Sequence, residues 1–287
     1  MTRTVYVDGR YCPYSEALVH AEDRGFQFGD AVYEVCEVRG GRLIDETRHM
    51  QRLTRSLTEL GIAQPMSAGA WSRVMRETVR RNRVRDGLVY LQVSRGARLR
   101  DFLFPPPRVR PTVVCLARNV SLLKLEAGAA QGIAIKTMPD IRWGRCDIKT
   151  VMLLPAALAK EAARAEGAKE AWFVDEQGYV TEGASSNAWI VDRNGKLITR
   201  QVDNVILRGI TRTTLIDLLR RENLELVERP FTVAEAQAAR EAFITSATNF
   251  VMPVVRIDGK PIGNGAPGLL SLKLRAEYHS AAEIGDA

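Results

Sequence analysis

Two hydrophobic periods alternate along the chain. Runs of about four to eight apolar or alternating positions, bounded by Gly, Asn or Asp, predict strands, whereas apolar spacings of three and four predict helices. Val5–Val7 runs into a tight turn at Asp8-Gly9. Tyr33–Arg39, Gly40-Gly41 and Arg42–Ile44 form a hairpin pattern. Met50, Leu53, Leu57 and Leu60 predict a helix over Thr47–Leu60, stopped by Gly61. Ser67 suits the N-cap of a second helix, Ala70–Arg83. Leu88–Ser94 and Thr112–Ala117 are further strands. Between them, Gly96–Pro111 is rich in Arg, Phe and Pro and has no period. A segment of that length inside a compact half points to function more than to scaffolding.

Residues 118–130 are polar with interspersed Gly and Ala and read as a linker. The second half opens with a strand at Ile133–Met138 and a long helix at Val151–Glu166, ended by Gly167. Ala171–Val174 with Tyr179–Thr181, and Ala188–Val191 with Lys196–Thr199, are hairpins around Gly-containing turns. A helix over Gly209–Arg221, a strand at Glu225–Glu228 and a short helix Val233–Ala238 capped by Thr232 follow. Strands at Ala242–Thr245 and Val254–Ile257 and a closing helix Leu269–Ala282 complete the pattern. Strand runs and separate helices in both halves predict an α+β fold in two domains, a small one over 1–120 and a large one over 121–287. No internal repeat is present.

The 287 residues carry a formal charge of +7, but the basic residues are scattered through periodic segments. The densest patch, Arg80–Arg85, falls where a helix should end, and cations there complement the helix dipole. This balance does not point to nucleic acid. The four cysteines (Cys12, Cys36, Cys115, Cys146) and three histidines are widely spaced. Metal-ligand spacing is absent, so no metal site is expected. Together with an N-terminus lacking an apolar signal core, the cysteines point to reduced thiols and a cytoplasmic protein. No apolar run is long enough to cross a membrane.

Three segments change the picture. Asp140-Ile141-Arg142-Trp143-Gly144-Arg145-Cys146-Asp147-Ile148-Lys149-Thr150 is polar and precedes an apolar helix. Thr181-Glu182-Gly183-Ala184-Ser185-Ser186-Asn187 lies between two strand runs. Leu207-Arg208-Gly209-Ile210-Thr211-Arg212 opens a helix, and free N–H groups at a helix start make an anion site. Each alone fits an ordinary loop, turn or helix end. Together they meet one need: pyridoxal phosphate requires a lysine for a Schiff base, an acid for the pyridine nitrogen and a cup for the phosphate.

In these segments, and in Asp23–Asp30 with Tyr33-Glu34-Val35, the chain resembles the fold-type IV pyridoxal-phosphate enzymes, most closely the bacterial D-amino-acid aminotransferases. The resemblance runs from Tyr6 to about Lys260. It implies two α+β domains with the active site between them, and a homodimer. It also implies roles for individual residues. Lys149 resembles the Schiff-base lysine, which also moves a proton to and from the substrate Cα. Glu182 resembles the partner of the pyridine nitrogen. Arg52 is similar to the arginine that clamps the phosphate, a task suited to a bidentate guanidinium. Gly209, Ile210 and Thr211 match the phosphate cup. Ser185, Ser186 and Asn187 match the segment lining the cofactor, and Leu207 the residue under its ring. Ser246 falls in a second phosphate-side loop, where Ala247 stands at a position expected to carry a hydroxyl. Tyr33 resembles the tyrosine near the Schiff base and the substrate carboxylate.

The substrate side departs from the pattern. D-amino-acid aminotransferases place an arginine and, two residues later, a histidine in a loop that reaches the neighbouring subunit's site. Arg100 and Phe102 stand there, with Arg98 a rival for the arginine. Glu37 stands where several relatives carry a basic residue, and it disfavours a second carboxylate nearby. The implied activity is transamination between D-amino acids and 2-oxo acids, of the D-alanine transaminase type. An (R)-selective amine transaminase is the main alternative, and a branched-chain aminotransferase or an aminodeoxychorismate lyase are lesser ones.

Overall fold

The structure is a computed structural model that describes residues 3–285. They divide into two compact units. One takes the chain up to Ser121, the short tract Ile148–Met152 and the residues from Glu283; the other takes Leu122–Asp147 and Leu153–Ala282.

The first unit is built on an antiparallel sheet of β1 (Thr4–Val7), β2 (Arg10–Pro13), β3 (Ala31–Arg39), β4 (Arg42–Leu43), β5 (Gly87–Ser94) and β6 (Thr112–Asn119). Its strand order is β2-β1-β6-β5-β3-β4. Helices α1 (Arg24–Phe28), α2 (Glu46–Glu59) and α3 (Ala68–Arg81) accompany it. On β3 the side chains alternate. Val32, Cys36 and Val38 join Leu53 and Leu57 of α2 and Trp71 and Met75 of α3 in the core. By the same period of two, Tyr33, Val35 and Glu37 project from the opposite face. Helix α1 is not legible from periodicity because five residues make little more than one turn. Its signal is in its caps: the Asp23 carboxylate accepts from Gly25 N–H, and Gly29 closes it at φ +69°, a conformation that favours glycine.

The second unit holds β7 (Ile133–Pro139), β8 (Glu170–Val174), β9 (Val180–Gly183), β10 (Asn187–Val191), β11 (Leu197–Thr199), β12 (Leu226–Glu228), β13 (Glu241–Ser246), β14 (Phe250–Ile257) and β15 (Lys260–Pro261). The strand order is β12-β11-β10-β13-β14-β7-β8-β9, with β15 added beside β14. The pairs β14–β7, β7–β8 and β11–β12 are parallel, and the rest are antiparallel. The helices are α4 (Leu122–Gln131), α5 (Leu154–Ala165), α6 (Ile210–Arg221), α7 (Val233–Ala238) and α8 (Leu269–Ala281). Strand β10 is buried on both faces: Ala188 and Ile190 pack with Trp172 and Phe231, while Trp189 and Val191 pack with Leu215, Leu218 and Leu274. The α+β character read from the sequence is the observed architecture.

Two expectations are corrected. Residues 118–130 are not a linker: β6 runs to Asn119 and α4 follows from Leu122. Its small residues and Gly128 give α4 no clear apolar stripe. Helix α5 begins at Leu154, not Val151, with a proline in its first turn. The preceding residues are extended instead. Tyr33 N–H donates to the Lys149 carbonyl (3.0 Å) and Val151 N–H to the Ala31 carbonyl (3.1 Å). This tract covers the part of the β3 edge that the two-residue β4 leaves open, satisfying backbone groups there.

Candidate active site

The lysine-bearing segment is fixed by its backbone and by its neighbour. Ile148 is buried in the core of the first unit, and Lys149, next in an extended tract, projects the other way. Its Nζ lies 4.1 Å from the centroid of the Tyr33 ring. Tyr33 in turn lies 5.6 Å from Tyr90 of β5, ring to ring, and the Tyr90 hydroxyl donates to Gln92 Oε1 at 2.6 Å. Burial pushes the Tyr90 phenol up, and Tyr33 adds to this. The structure therefore brings Lys149 and Tyr33 together beside a short aromatic and amide row.

On the other face of β3, Glu34 is fully buried. Arg52 of α2 grips it with two hydrogen bonds of 2.7 Å, from Nε and Nη2, and His49 Nδ1 lies 2.7 Å from its Oε2. Burial alone would raise the Glu34 carboxyl, but the charge and hydrogen bonds of Arg52, with those of His49, outweigh it and hold it at about 2. The arginine expected at a phosphate is thus fixed through a buried acid. The signal is present in the sequence: Glu34 occupies a core position of a strand, and His49 and Arg52 share one helix face at i, i+3.

The Asp23–Asp30 segment supports the substrate loop. Asp30 accepts from both Arg24 Nε (2.8 Å) and Arg95 Nε (2.7 Å). Arg24 Nη1 then donates to the carbonyls of Asp101 (2.6 Å) and Leu103 (3.3 Å), holding the loop from its backbone. On that loop the Arg100 guanidinium lies 5.1 Å from the Phe28 ring and 5.5 Å from the Phe102 ring. Phe102 is 78% exposed, and Phe26, Leu99, Leu103 and Phe104 are exposed with it. Arg98 is also exposed, its N–H donating to the Glu22 carbonyl. Glu37 is buried, with Arg39 Nη1 at 3.7 Å.

In the second unit, Glu182 lies near the end of β9 and is buried. Its Oε1 accepts from Arg142 Nη1 at 2.5 Å, and its Oε2 accepts from Asn187 Nδ2 and Leu207 N–H, both at 3.1 Å. Asn187 also donates to the Leu207 carbonyl at 2.9 Å. Glu182, Asn187 and Leu207 therefore form one cluster, with Arg142 as a member that sequence reasoning passed over.

The same cluster shapes the start of α6. Gly209 is its N-cap and supplies no side-chain acceptor, so the first-turn N–H groups of Ile210 and Thr211 lack a cap. A Cβ on Gly209 would stand 2.1 Å from Asn187 Oδ1, so this position tolerates only glycine without rearrangement. Thr211 is buried, and its hydroxyl has no protein partner among the described residues. Open amide donors, a spare hydroxyl and the positive end of a helix fit a phosphate ester. The donor set thus suits the phosphate of pyridoxal phosphate.

Ser185 and Ser186 are engaged elsewhere than expected. Both hydroxyls donate to Glu170 Oε2, at 2.8 and 3.3 Å, and Lys160 Nζ lies 3.3 Å from the same oxygen. Any contact from these residues to a cofactor then falls to their backbone. Ser246 and Ala247 lie at the β13–β14 turn, where Ser246 Oγ is 3.2 Å from Thr248 Oγ1 and accepts from Asn249 N–H. Thr248 supplies a hydroxyl one residue beyond Ala247. All four cysteines are free; Cys146 is pushed up to about 11, mainly by burial. Among the described residues, no cluster of His, Cys, Asp and Glu side chains could hold a metal ion, and no helix is long and apolar enough to cross a membrane.

Comparison with known proteins gives a consistent set of relatives. Residues 31–257 match the family Amino-transferase class IV. The D-alanine aminotransferase of Staphylococcus haemolyticus is 35% identical over 280 residues, covering 97% of this chain and 98% of that one. The D-alanine aminotransferase of Bacillus licheniformis is 39% identical over 277 residues, 96% of each chain. Among solved structures, the branched-chain aminotransferase of Thermoproteus uzoniensis with norvaline gives a TM-score of 0.85 at 26% identity, covering 97% of this chain and 94% of that one. A second branched-chain amino acid aminotransferase, solved with pyridoxamine 5'-phosphate and with T.th. given as its source, has a TM-score of 0.88 at 27% identity, covering 97% and 93%. The chain belongs to the class IV aminotransferases, pyridoxal-phosphate enzymes of fold type IV.

Proposed function

We propose that this protein moves amino groups between D-amino acids and 2-oxo acids, with D-alanine and 2-oxoglutarate as a representative pair. One observation carries the choice of substrate: the relatives that match end to end are named D-alanine aminotransferases. Pyridoxal phosphate supplies the electron sink that makes the substrate Cα proton removable. The chain's own groups do the rest. Lys149 Nζ, held beside Tyr33, anchors the cofactor and carries the proton. Glu182 holds the pyridine nitrogen, and the start of α6 with Thr211 binds the phosphate. Arg100 binds the substrate carboxylate as a fork.

The exposed apolar loop residues Leu99, Phe102, Leu103 and Phe104, with Phe26 of α1, support a homodimer in which this loop is covered by a second copy. A cytoplasmic location agrees with the free thiols.

One observation favours a second reading. Arg100 has Phe102 in place of a histidine donor, and buried Glu37 lies on the Tyr33 face. Fewer carboxylate donors and more apolar wall suit an (R)-amine. Release of pyruvate from D-alanine and 2-oxoglutarate supports the first reading; turnover of (R)-1-phenylethylamine without turnover of any D-amino acid supports the second.

A further inference from the structure

Arg142 makes more contacts than an ion pair with Glu182 requires. Its Nε and Nη2 form a fork on Asp140, at 2.9 and 2.7 Å. Nη2 also reaches Thr181 Oγ1 (3.3 Å) and the Val205 carbonyl (3.1 Å), while Nη1 holds Glu182 at 2.5 Å. The guanidinium lies 4.6 Å from the Phe173 ring. Thr181 closes the group by donating to Asp140 Oδ2 at 2.8 Å. One side chain thus ties together the segment after β7, the end of β9 and the stretch leading to Leu207.

The three charges matter as a set. Asp140 and Arg142 cancel, so Glu182 keeps one net negative charge while its orientation is fixed from behind. An arginine alone would fix the carboxylate but neutralise it. The other ionisable groups here are Cys146 and the Arg145–Asp147 pair at 2.9 Å, which is itself balanced. Burial pushes the Asp140 carboxyl up, yet the hydrogen bonds and charge of Arg142 hold it below the usual range.

We propose that Asp140 and Arg142 are positioning residues that aim Glu182 at the pyridine nitrogen of the cofactor and preserve its charge, keeping that nitrogen protonated. This rests on the reading of Glu182 as the nitrogen's partner. The test uses holoenzyme loaded with cofactor labelled with 15N at the pyridine nitrogen, together with absorbance titration of cofactor affinity. Asp140→Asn removes one negative charge and should move the 15N resonance toward the unprotonated position at neutral pH. Arg142→Lys keeps the charge but loses the fork, and should weaken cofactor binding by about 10- to 100-fold, the range for partners that orient a ligating group. Neither change should add to the effect of Glu182→Gln when combined with it. An unmoved resonance in Asp140→Asn and unchanged affinity in Arg142→Lys, with Glu182→Gln altering both, would overturn the proposal. If Glu182→Gln itself leaves the resonance unmoved, the reading of Glu182 fails instead.

Discussion

Lys149 is tied to Tyr33 twice: its carbonyl accepts from the Tyr33 N–H at 3.0 Å, and its Nζ lies 4.1 Å from the centroid of the Tyr33 ring. A one-residue shift of the tract would separate the amine from the ring and expose Ile148. The backbone pairing with β3 therefore sets where the reactive nitrogen lies. Tyr33→Phe keeps the ring and should retain cofactor affinity, whereas Tyr33→Ala removes the platform. A cation over an aromatic face is worth about 0.5–2 kcal/mol, so Tyr33→Ala should weaken cofactor retention several-fold. Absorbance of the bound cofactor after dialysis measures this.

The Glu34 carboxyl is held at about 2 against an ordinary 4.5. A lowered folded-state value stabilises the fold above pH 4.5, and this contribution fades as pH falls toward 2. Glu34→Gln leaves Arg52 buried without its anion and should cost about 3–5 kcal/mol at neutral pH. Urea unfolding should show the difference from the parent shrinking between pH 4.5 and pH 2. A pH-independent difference contradicts the ionised triad.

Gly209→Ala places a methyl against Asn187 Oδ1, and Asn187 cannot move without releasing Glu182 and Leu207. Overpacking of this kind costs about 1–3 kcal/mol. Titration of apoprotein with pyridoxal phosphate should show that loss as weaker binding. Unchanged affinity would remove the α6 start from the cofactor site.

Arg100→Ala should lower kcat/KM for D-amino acids by about 10- to 100-fold, since hydrogen bonds to a charged group contribute about 1.5–3 kcal/mol. Amines without a carboxylate should be affected far less. Equal loss on both substrates rejects the carboxylate role.

The hairpins and amphipathic helices are legible in the sequence because their periods differ so clearly, and Lys149, Glu182 and the Gly209–Thr211 start stand out as types that only one cofactor needs together. What stays hidden are connections made through space. That Asp30 orients Arg24 and Arg95 to hold the Arg100 loop follows from side chains more than sixty residues apart. That Ser185 and Ser186 turn to Glu170 depends on the strand order, since Glu170 opens β8. Helix α4 escapes the pattern because Ala and Gly carry little periodicity, and the start of α5 because the apolar residues before it are taken by the edge of β3.

The proposed activity rests on Lys149 as the cofactor lysine of a D-amino-acid aminotransferase. Purified protein loaded with pyridoxal phosphate should lose its yellow absorbance on addition of D-alanine alone, release one equivalent of pyruvate and regain its colour with 2-oxoglutarate, while Lys149→Ala does none of this. Bleaching by L-leucine but by no D-amino acid, or an unchanged spectrum in Lys149→Ala, would contradict it.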